Sequence, residues 1–270
     1  MADNTIGSML CPYCKKLISV NAESCMHCGR RNPQKMTSVP LFQSILSGRV
    51  SFVHGIISVC LLLYVVSLLI SVFARGGVNP MLEPDSRALQ ILGWTGLAPV
   101  LMKGHWWTLI TAMYLHGSLA HIFFNSLFIW FLGPRVEEHF GSSRFFIIYT
   151  VAGIVGFLAS TFLGIARTIG ASGAIFGLFG AFVFYGKDRG GNYGAYVYWV
   201  TTLLAIVLFF MGLTSENVDN FAHAGGFIGG FVCAMFVGYE ERKPETPVHR
   251  WLAIGCLVLT VLAFVLAIAG

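Results

Sequence analysis

Two side chains in this sequence could do covalent chemistry together. Ser172 lies in Gly170-Ala171-Ser172-Gly173-Ala174-Ile175-Phe176-Gly177, and His223 lies in Ala222-His223-Ala224-Gly225-Gly226. A serine hydroxyl alone is a weak nucleophile, and an adjacent imidazole can accept its proton as it attacks an acyl carbon. Returning that proton to the leaving group is worth about 10²–10⁴-fold. The tetrahedral intermediate then needs donors to its oxyanion. His121 and Asn125, four residues apart, share one helix face and can supply them. The backbone N–H of Ser172 is a third donor if a helix starts there. Asp219, four residues before His223, either orients the imidazole or caps a helix; a cap is expected, which leaves a dyad. The serine does not sit in the nucleophile elbow of soluble hydrolases, which has glycine two residues on, where Ala174 stands here. Each residue also has a bland reading. Ser172 and His223 would pack a tight helix contact, and His121 with Asn125 would bond helix to helix.

A second chemical set lies near the N-terminus. Cys11 and Cys14, then Cys25 and Cys28, form two C-x2-C pairs, and four thiolates at such spacing suit tetrahedral zinc. Two disulfides or a redox pair are the alternative. So short a segment builds no core of its own, so the metal would supply its folding free energy, on the order of 10–16 kcal/mol.

The elements that must hold Ser172 and His223 are membrane helices. Hydrophobic residues make up 56% of the chain and charged residues 11%, with a mean hydropathy of +0.74. Charge-free stretches run over 50–74, 104–134, 145–166, 168–186, 190–215, 220–239 and 251–270. Each can hold a crossing of roughly 17–25 residues, so the composition predicts seven transmembrane helices. Open strands are excluded because backbone groups in lipid must pair within their segment. No secretory signal is expected, since the first apolar run begins near residue 50. The connection over 75–103 is apolar in its middle but too short to cross, and reads as interfacial or re-entrant, with Trp94, Trp106 and Trp107 at headgroup depth. Alternating the sides puts thirteen of the seventeen Lys and Arg residues with the N-terminus. The N-terminus is therefore expected in the cytoplasm, and the C-terminus outside, in a plasma membrane. Ser172 and His223 then enter their spans from the same outer face. The expected organisation is a cytoplasmic zinc ribbon over 1–35, a linker over 36–49, a six-span core over 50–239, and a charged loop with a seventh span over 240–270.

These pieces resemble the rhomboid intramembrane serine proteases. The resemblance rests on Gly170-Ala171-Ser172-Gly173, on Ala222-His223-Ala224-Gly225-Gly226-Phe227-Ile228-Gly229-Gly230, on His116 through His121 to Asn125, and on Gly133-Pro134-Arg135-Val136-Glu137; it covers about 50–250. It implies an all-α polytopic fold, a rhomboid-like six-helix bundle here extended by a seventh C-terminal helix and preceded by the ribbon. It implies Ser172 as nucleophile and His223 as general base. His121, Asn125 and the Ser172 N–H would form the oxyanion hole, with Gly170 and Phe176 packing the site and His116 a structural polar residue. It also implies single-pass membrane proteins as substrates, cut in or near their membrane segment. One departure is plain: where relatives carry Trp-Arg at the end of the first loop, this chain has Trp106-Trp107-Thr108.

A catalytically silent relative that binds membrane proteins is the alternative. A proton-relaying transporter is a third reading, disfavoured because 145–166, 190–215 and 251–270 hold no Asp, Glu, Lys or Arg. The partners expected are transmembrane substrates and the lipid bilayer. No nucleic acid is expected, and the ribbon suits protein contact or self-association. Structural zinc is the one cofactor expected, with none for catalysis.

Overall fold

The computed structural model describes residues 7–11, 16–20, 22–27, 51–75, 82–215 and 217–269. They fall into two compact units, one ending at Val50 and one beginning at Ser51. In the first, β1 (Ser8–Leu10) pairs antiparallel with β2 (Leu17–Ser19), Met9 facing Ile18. Cys11, Ile18 and Cys25 are buried together beside this hairpin. Cys14 and Cys28 lie outside the described residues.

The second unit is helical: α1 (Phe52–Arg75), α2 (Ser86–Ile91), α3 (Thr108–Thr111), α4 (Leu119–Phe140), α5 (Ser142–Phe162), α6 (Ser172–Arg189), α7 (Gly191–Leu213), α8 (Asn220–Val237) and α9 (Pro247–Ala269). Among the described residues, six helices are long and apolar enough to cross a membrane, in α1, α4, α5, α7, α8 and α9. The sequence predicts seven. The difference is α6, an 18-residue helix whose last turn carries Lys187, Asp188 and Arg189. Its position accounts for its chemistry, because every residue from Gly173 to Gly186 is buried. It packs against α5, α7 and α8 and is the axis of the unit.

The closest helix contact, α6 against α8, is made by glycines. A Cβ on Gly226 would stand 2.0 Å from the Gly173 carbonyl oxygen, and one on Gly230 would stand 2.0 Å from that of Gly177. Backbone therefore meets backbone, as small residues allow in apolar surroundings.

Caps fix the helix ends. Ser118 accepts from the His121 N–H at 3.2 Å at the start of α4. Asp219 accepts from the Ala222 N–H at 3.0 Å at the start of α8. Glu137, near the end of α4, accepts from the Phe52 N–H at 2.7 Å and so tethers the start of α1. α6 has no side-chain cap. The connection before α4 is folded into short helical pieces, α2, a wide turn at Ala98–Met102 and α3. It is stitched to the α5–α6 connection by a two-residue antiparallel bridge, Thr95 with Thr168, whose N–H···O bonds are 3.1 and 2.8 Å.

At the opposite end of α6 the charged segment Glu240–Arg250 is a structural clamp. The Arg144 side chain is fully buried and donates to the Glu240 carboxylate at 3.4 Å and to the Lys243 and Pro244 carbonyls at 2.8 and 3.1 Å. The Glu245 carboxylate accepts from the N–H groups of Ser143 and Arg144 at 2.7 and 3.0 Å, capping α5.

Candidate active site

Ser172 is the first residue of α6, and His223 lies one turn into α8. The His223 Nε2 and Ser172 Oγ atoms are 2.9 Å apart, a hydrogen bond across the glycine contact. His223 is 6% exposed and Ser172 is half-buried, so the pair is enclosed on the histidine side and reached from the serine side. The Phe176 ring, one turn down α6 from Ser172, stacks on the imidazole with ring centroids 4.2 Å apart and planes 14° from parallel. The imidazole is thus held by a flat apolar surface.

Asp219 does not reach that ring. Its carboxylate caps α8 through Ala222 and accepts the Ser160 hydroxyl from α5. His223 Nδ1 has no hydrogen-bond partner among the described residues. The arrangement pairs Ser172 with His223 and places no carboxylate on the far ring nitrogen.

His121 and Asn125 meet the chain at Gly170, two residues before Ser172. This glycine has φ +121°, a conformation side chains disfavour, and a Cβ there would lie 2.5 Å from His121 Nε2 and 3.8 Å from Asn125 Nδ2. Its own N–H donates to the Ala112 carbonyl at 2.8 Å, which sets the turn into α6. His121 Nδ1 accepts from the Gly117 N–H at 3.4 Å, which leaves the ring proton on Nε2, the atom over Gly170. Asn125 Nδ2 donates to the His121 carbonyl at 3.0 Å and is 6% exposed as a residue. The first N–H groups of α6 have no intrahelical partner and no capping side chain takes them up. Three kinds of donor therefore lie around Gly170 and the start of α6. His116 is 1% exposed and meets the His121 ring edge-on at 4.9 Å.

The Rhomboid domain model matches residues 103–240, half of the chain. The chain belongs to the rhomboid family. It is 37% identical over 142 residues to the rhomboid protease GluP of Bacillus subtilis (strain 168), covering 53% of this chain and 28% of GluP. It is 35% identical over 204 residues to RHOMBOID-like protein 7 of Arabidopsis thaliana, covering 71% of this chain and 65% of that protein. It is 35% identical over 153 residues to the putative rhomboid protease YdcA of Bacillus subtilis (strain 168), covering 55% and 76%. The chain spans less than two thirds of the length of GluP and of RHOMBOID-like protein 7. Membership makes this a multi-pass membrane protein of an intramembrane protease family. The matched residues hold His121, Asn125, Ser172 and His223; α1, α9 and the cysteine segment lie outside them.

Sequence reasoning missed the Thr95–Thr168 bridge, which carries no residue signature, and the Arg144–Glu245 clamp. Arg144 opens a charge-free stretch and its partners follow almost a hundred residues later. The one available signal was that an arginine at the start of a buried helix needs a partner.

Proposed function

We propose that this rhomboid is an active intramembrane serine endopeptidase that cleaves transmembrane proteins in or near their membrane segment. The 2.9 Å Ser172–His223 hydrogen bond carries the reading. Ser172 Oγ attacks the scissile carbonyl carbon while its proton passes to His223 Nε2, which requires the tautomer with its proton on Nδ1. The carbonyl oxygen becomes an oxyanion, bonded by His121 Nε2–H, Asn125 Nδ2–H and the Ser172 N–H, donors worth about 10²–10³ each in rate. The intermediate collapses, the C–N bond breaks, and the leaving amine takes the proton from His223. Water then repeats the sequence on the acyl-enzyme, and the C-terminal carboxyl of the N-terminal fragment is released.

The membrane setting proposed with it has seven crossings, α6 being the seventh, shielded from lipid by its neighbours. The bias of Lys and Arg supports a cytoplasmic N-terminus in the plasma membrane and an active site opening on the outer side. For the N-terminal unit we propose a structural zinc held by Cys11, Cys14, Cys25 and Cys28, in a module that contacts protein rather than nucleic acid. The burial of Cys11 and Cys25 in one cluster fits two of those four ligands. Removing zinc would unfold that unit and leave the dyad's chemistry intact.

The test is labelling of purified full-length protein by a serine-reactive fluorophosphonate, with the adduct mapped by mass. Labelling at Ser172 that is lost in His223→Ala is the expected result. A folded protein that neither labels nor cuts a model transmembrane substrate would turn the reading to a silent, substrate-binding relative.

A further inference from the structure

A cavity of about 310 Å³ lies between the folded connection before α4 and the C-terminal end of α9. It is at the low end of the size range of small-molecule sites. One face of α2 lines it with Arg87, Gln90 and Ile91, at positions one helical turn apart. Lys103 and His105 line it from beyond the wide turn, and Trp94 and Trp107 give it aromatic walls, with the His105 ring stacked on Trp107 at 4.6 Å. Ala267 and Ile268 of α9 close the apolar side. α9 can come this close because Gly93 has no side chain; a Cβ there would lie 3.0 Å from that of Ala267.

The charge is one-sided. No carboxylate lines the cavity, and neither Arg87 nor Lys103 has an ion-pair partner among the described residues. The level is fixed as well, since Ala267 and Ile268 are the last turn of a membrane-crossing helix. Two cations with no ion-pair partner among the described residues, two tryptophans and an apolar floor therefore meet where headgroups begin. A guanidinium and an ammonium suit a phosphate ester. The apolar side suits what a lipid phosphate carries and a free phosphate lacks.

We propose that this cavity binds the headgroup of an anionic phospholipid. The phosphate lies between Arg87 and Lys103, the glycerol region against Trp94 and Trp107, and the acyl chains leave past Ile91 and Ile268. The site depends on α9, which lies outside the matched Rhomboid domain. It stands whether or not the dyad is active. Binding would also brace the site's own scaffold. Trp94 precedes the Thr95–Thr168 bridge, and Arg167 covers its ring from the other loop at 4.8 Å; the chain from Thr168 leads directly to Gly170 and Ser172.

The experiment uses full-length protein in lipid nanodiscs of phosphatidylcholine with and without phosphatidylglycerol. Lipid retained on release is read by native mass spectrometry, and the thermal midpoint is read in parallel. Each basic residue beside an anionic headgroup adds about fivefold in affinity, so the pair gives about 30-fold preference for phosphatidylglycerol. The preference should fall to within about twofold in Arg87→Ala/Lys103→Ala and persist in Arg87→Lys/Lys103→Arg. An unchanged midpoint of the alanine variant in pure phosphatidylcholine shows that it is folded. Inorganic phosphate and glycerol phosphate, added in detergent at millimolar concentration, should not raise the midpoint. The proposal is overturned if the alanine variant keeps the preference, or if free phosphate reproduces the stabilisation.

Discussion

Gly226→Ala tests whether the α6–α8 contact sets the catalytic geometry. The new Cβ would stand 2.0 Å from the Gly173 oxygen, where a carbon and a carbonyl oxygen need about 3.3 Å. The two helices must separate by about 1.3 Å at this level, since the obstacle is backbone and has no rotamer to yield. Gly173 follows Ser172, and Gly226 is one turn from His223, so the opening falls on the dyad. A hydrogen bond of 2.9 Å would stretch towards about 4 Å, beyond bonding range. Loss of general-base assistance costs about 10²–10⁴ in rate, and overpacking destabilises by about 1–3 kcal/mol. Gly230→Ala meets an equal obstacle, 2.0 Å from the Gly177 oxygen, one turn further from the chemistry. It should match Gly226→Ala in thermal midpoint and retain more activity. Gly255→Ala, on α9 with nothing within 4 Å of its Cβ site, is the control and should behave as wild type. The assays are fluorophosphonate labelling rate and cleavage of a model transmembrane substrate, beside a thermal melt. If Gly226→Ala labels within about twofold of wild type, the contact does not set the dyad and the reasoning fails.

Ser172→Ala and His223→Ala should each abolish cleavage while the thermal midpoint stays near wild type; a fully active variant of either would remove the mechanism. Asp219→Ala should lower the midpoint, by the 0.5–2 kcal/mol or so of a lost cap, and keep Ser172 labelling within about tenfold. A loss as large as that of His223→Ala would instead make Asp219 a third catalytic member. Burial raises the Glu240 carboxyl above its usual pKa, partly offset by the Glu245 N–H and by Arg144. The folded state therefore holds this proton more tightly than the unfolded chain, and stability falls as pH rises from the ordinary carboxylate pKa through the raised one. Glu240→Gln should flatten that slope in pH-dependent melts, and an unchanged slope would acquit Glu240. The purified chain should carry about one zinc per molecule by elemental analysis, lost in Cys14→Ser/Cys28→Ser; equal zinc in that variant would remove the ribbon.

The meeting of Ser172 with His223 was more legible than the bundle that holds them. Ser172 and His223 announced themselves because two polar side chains at matched depth in apolar segments need a reason. His121 and Asn125 followed from helical spacing. The resemblance implied Gly170 as a packing residue, but its approach to the His121 ring was not readable, since that ring arrives from another helix. Counting crossings by charge gave seven stretches, and the structure shows what such counting measures. α6 lies at the centre from Gly173 to Gly186 and emerges only at its exposed last turn, Lys187-Asp188-Arg189, where Tyr239 and Arg242 bond Asp188 at 3.0 and 2.9 Å. The charged loop that begins at Glu240 gave no sign of its partner, since mixed charges look alike whether they meet water or a buried arginine. Pairings such as Arg144 with Lys243 and Pro244 use backbone carbonyls, which no side-chain pattern encodes.

The use made of Asp219 explains the form of the dyad. A carboxylate placed on His223 Nδ1 would have to be desolvated in an apolar bundle, at a cost of several kcal/mol unless fully paired. Here the carboxylate stays at the start of α8, where the helix dipole, the Ala222 N–H and the Ser160 hydroxyl satisfy it. Orientation of the imidazole passes to Phe176, whose ring lies 4.2 Å away and nearly parallel. A stacked ring restrains the plane of the imidazole with no buried charge, and it leaves Nε2 aimed at Ser172. What it would not supply, in the reaction proposed above, is electrostatic stabilisation of the imidazolium formed as Ser172 attacks. That stabilisation would then have to come from the oxyanion proposed to develop beside His121 and Asn125. In the proposed mechanism the donor set and the base are thus parts of one charge distribution, and a substrate carbonyl seated among the donors would make proton transfer to His223 favourable.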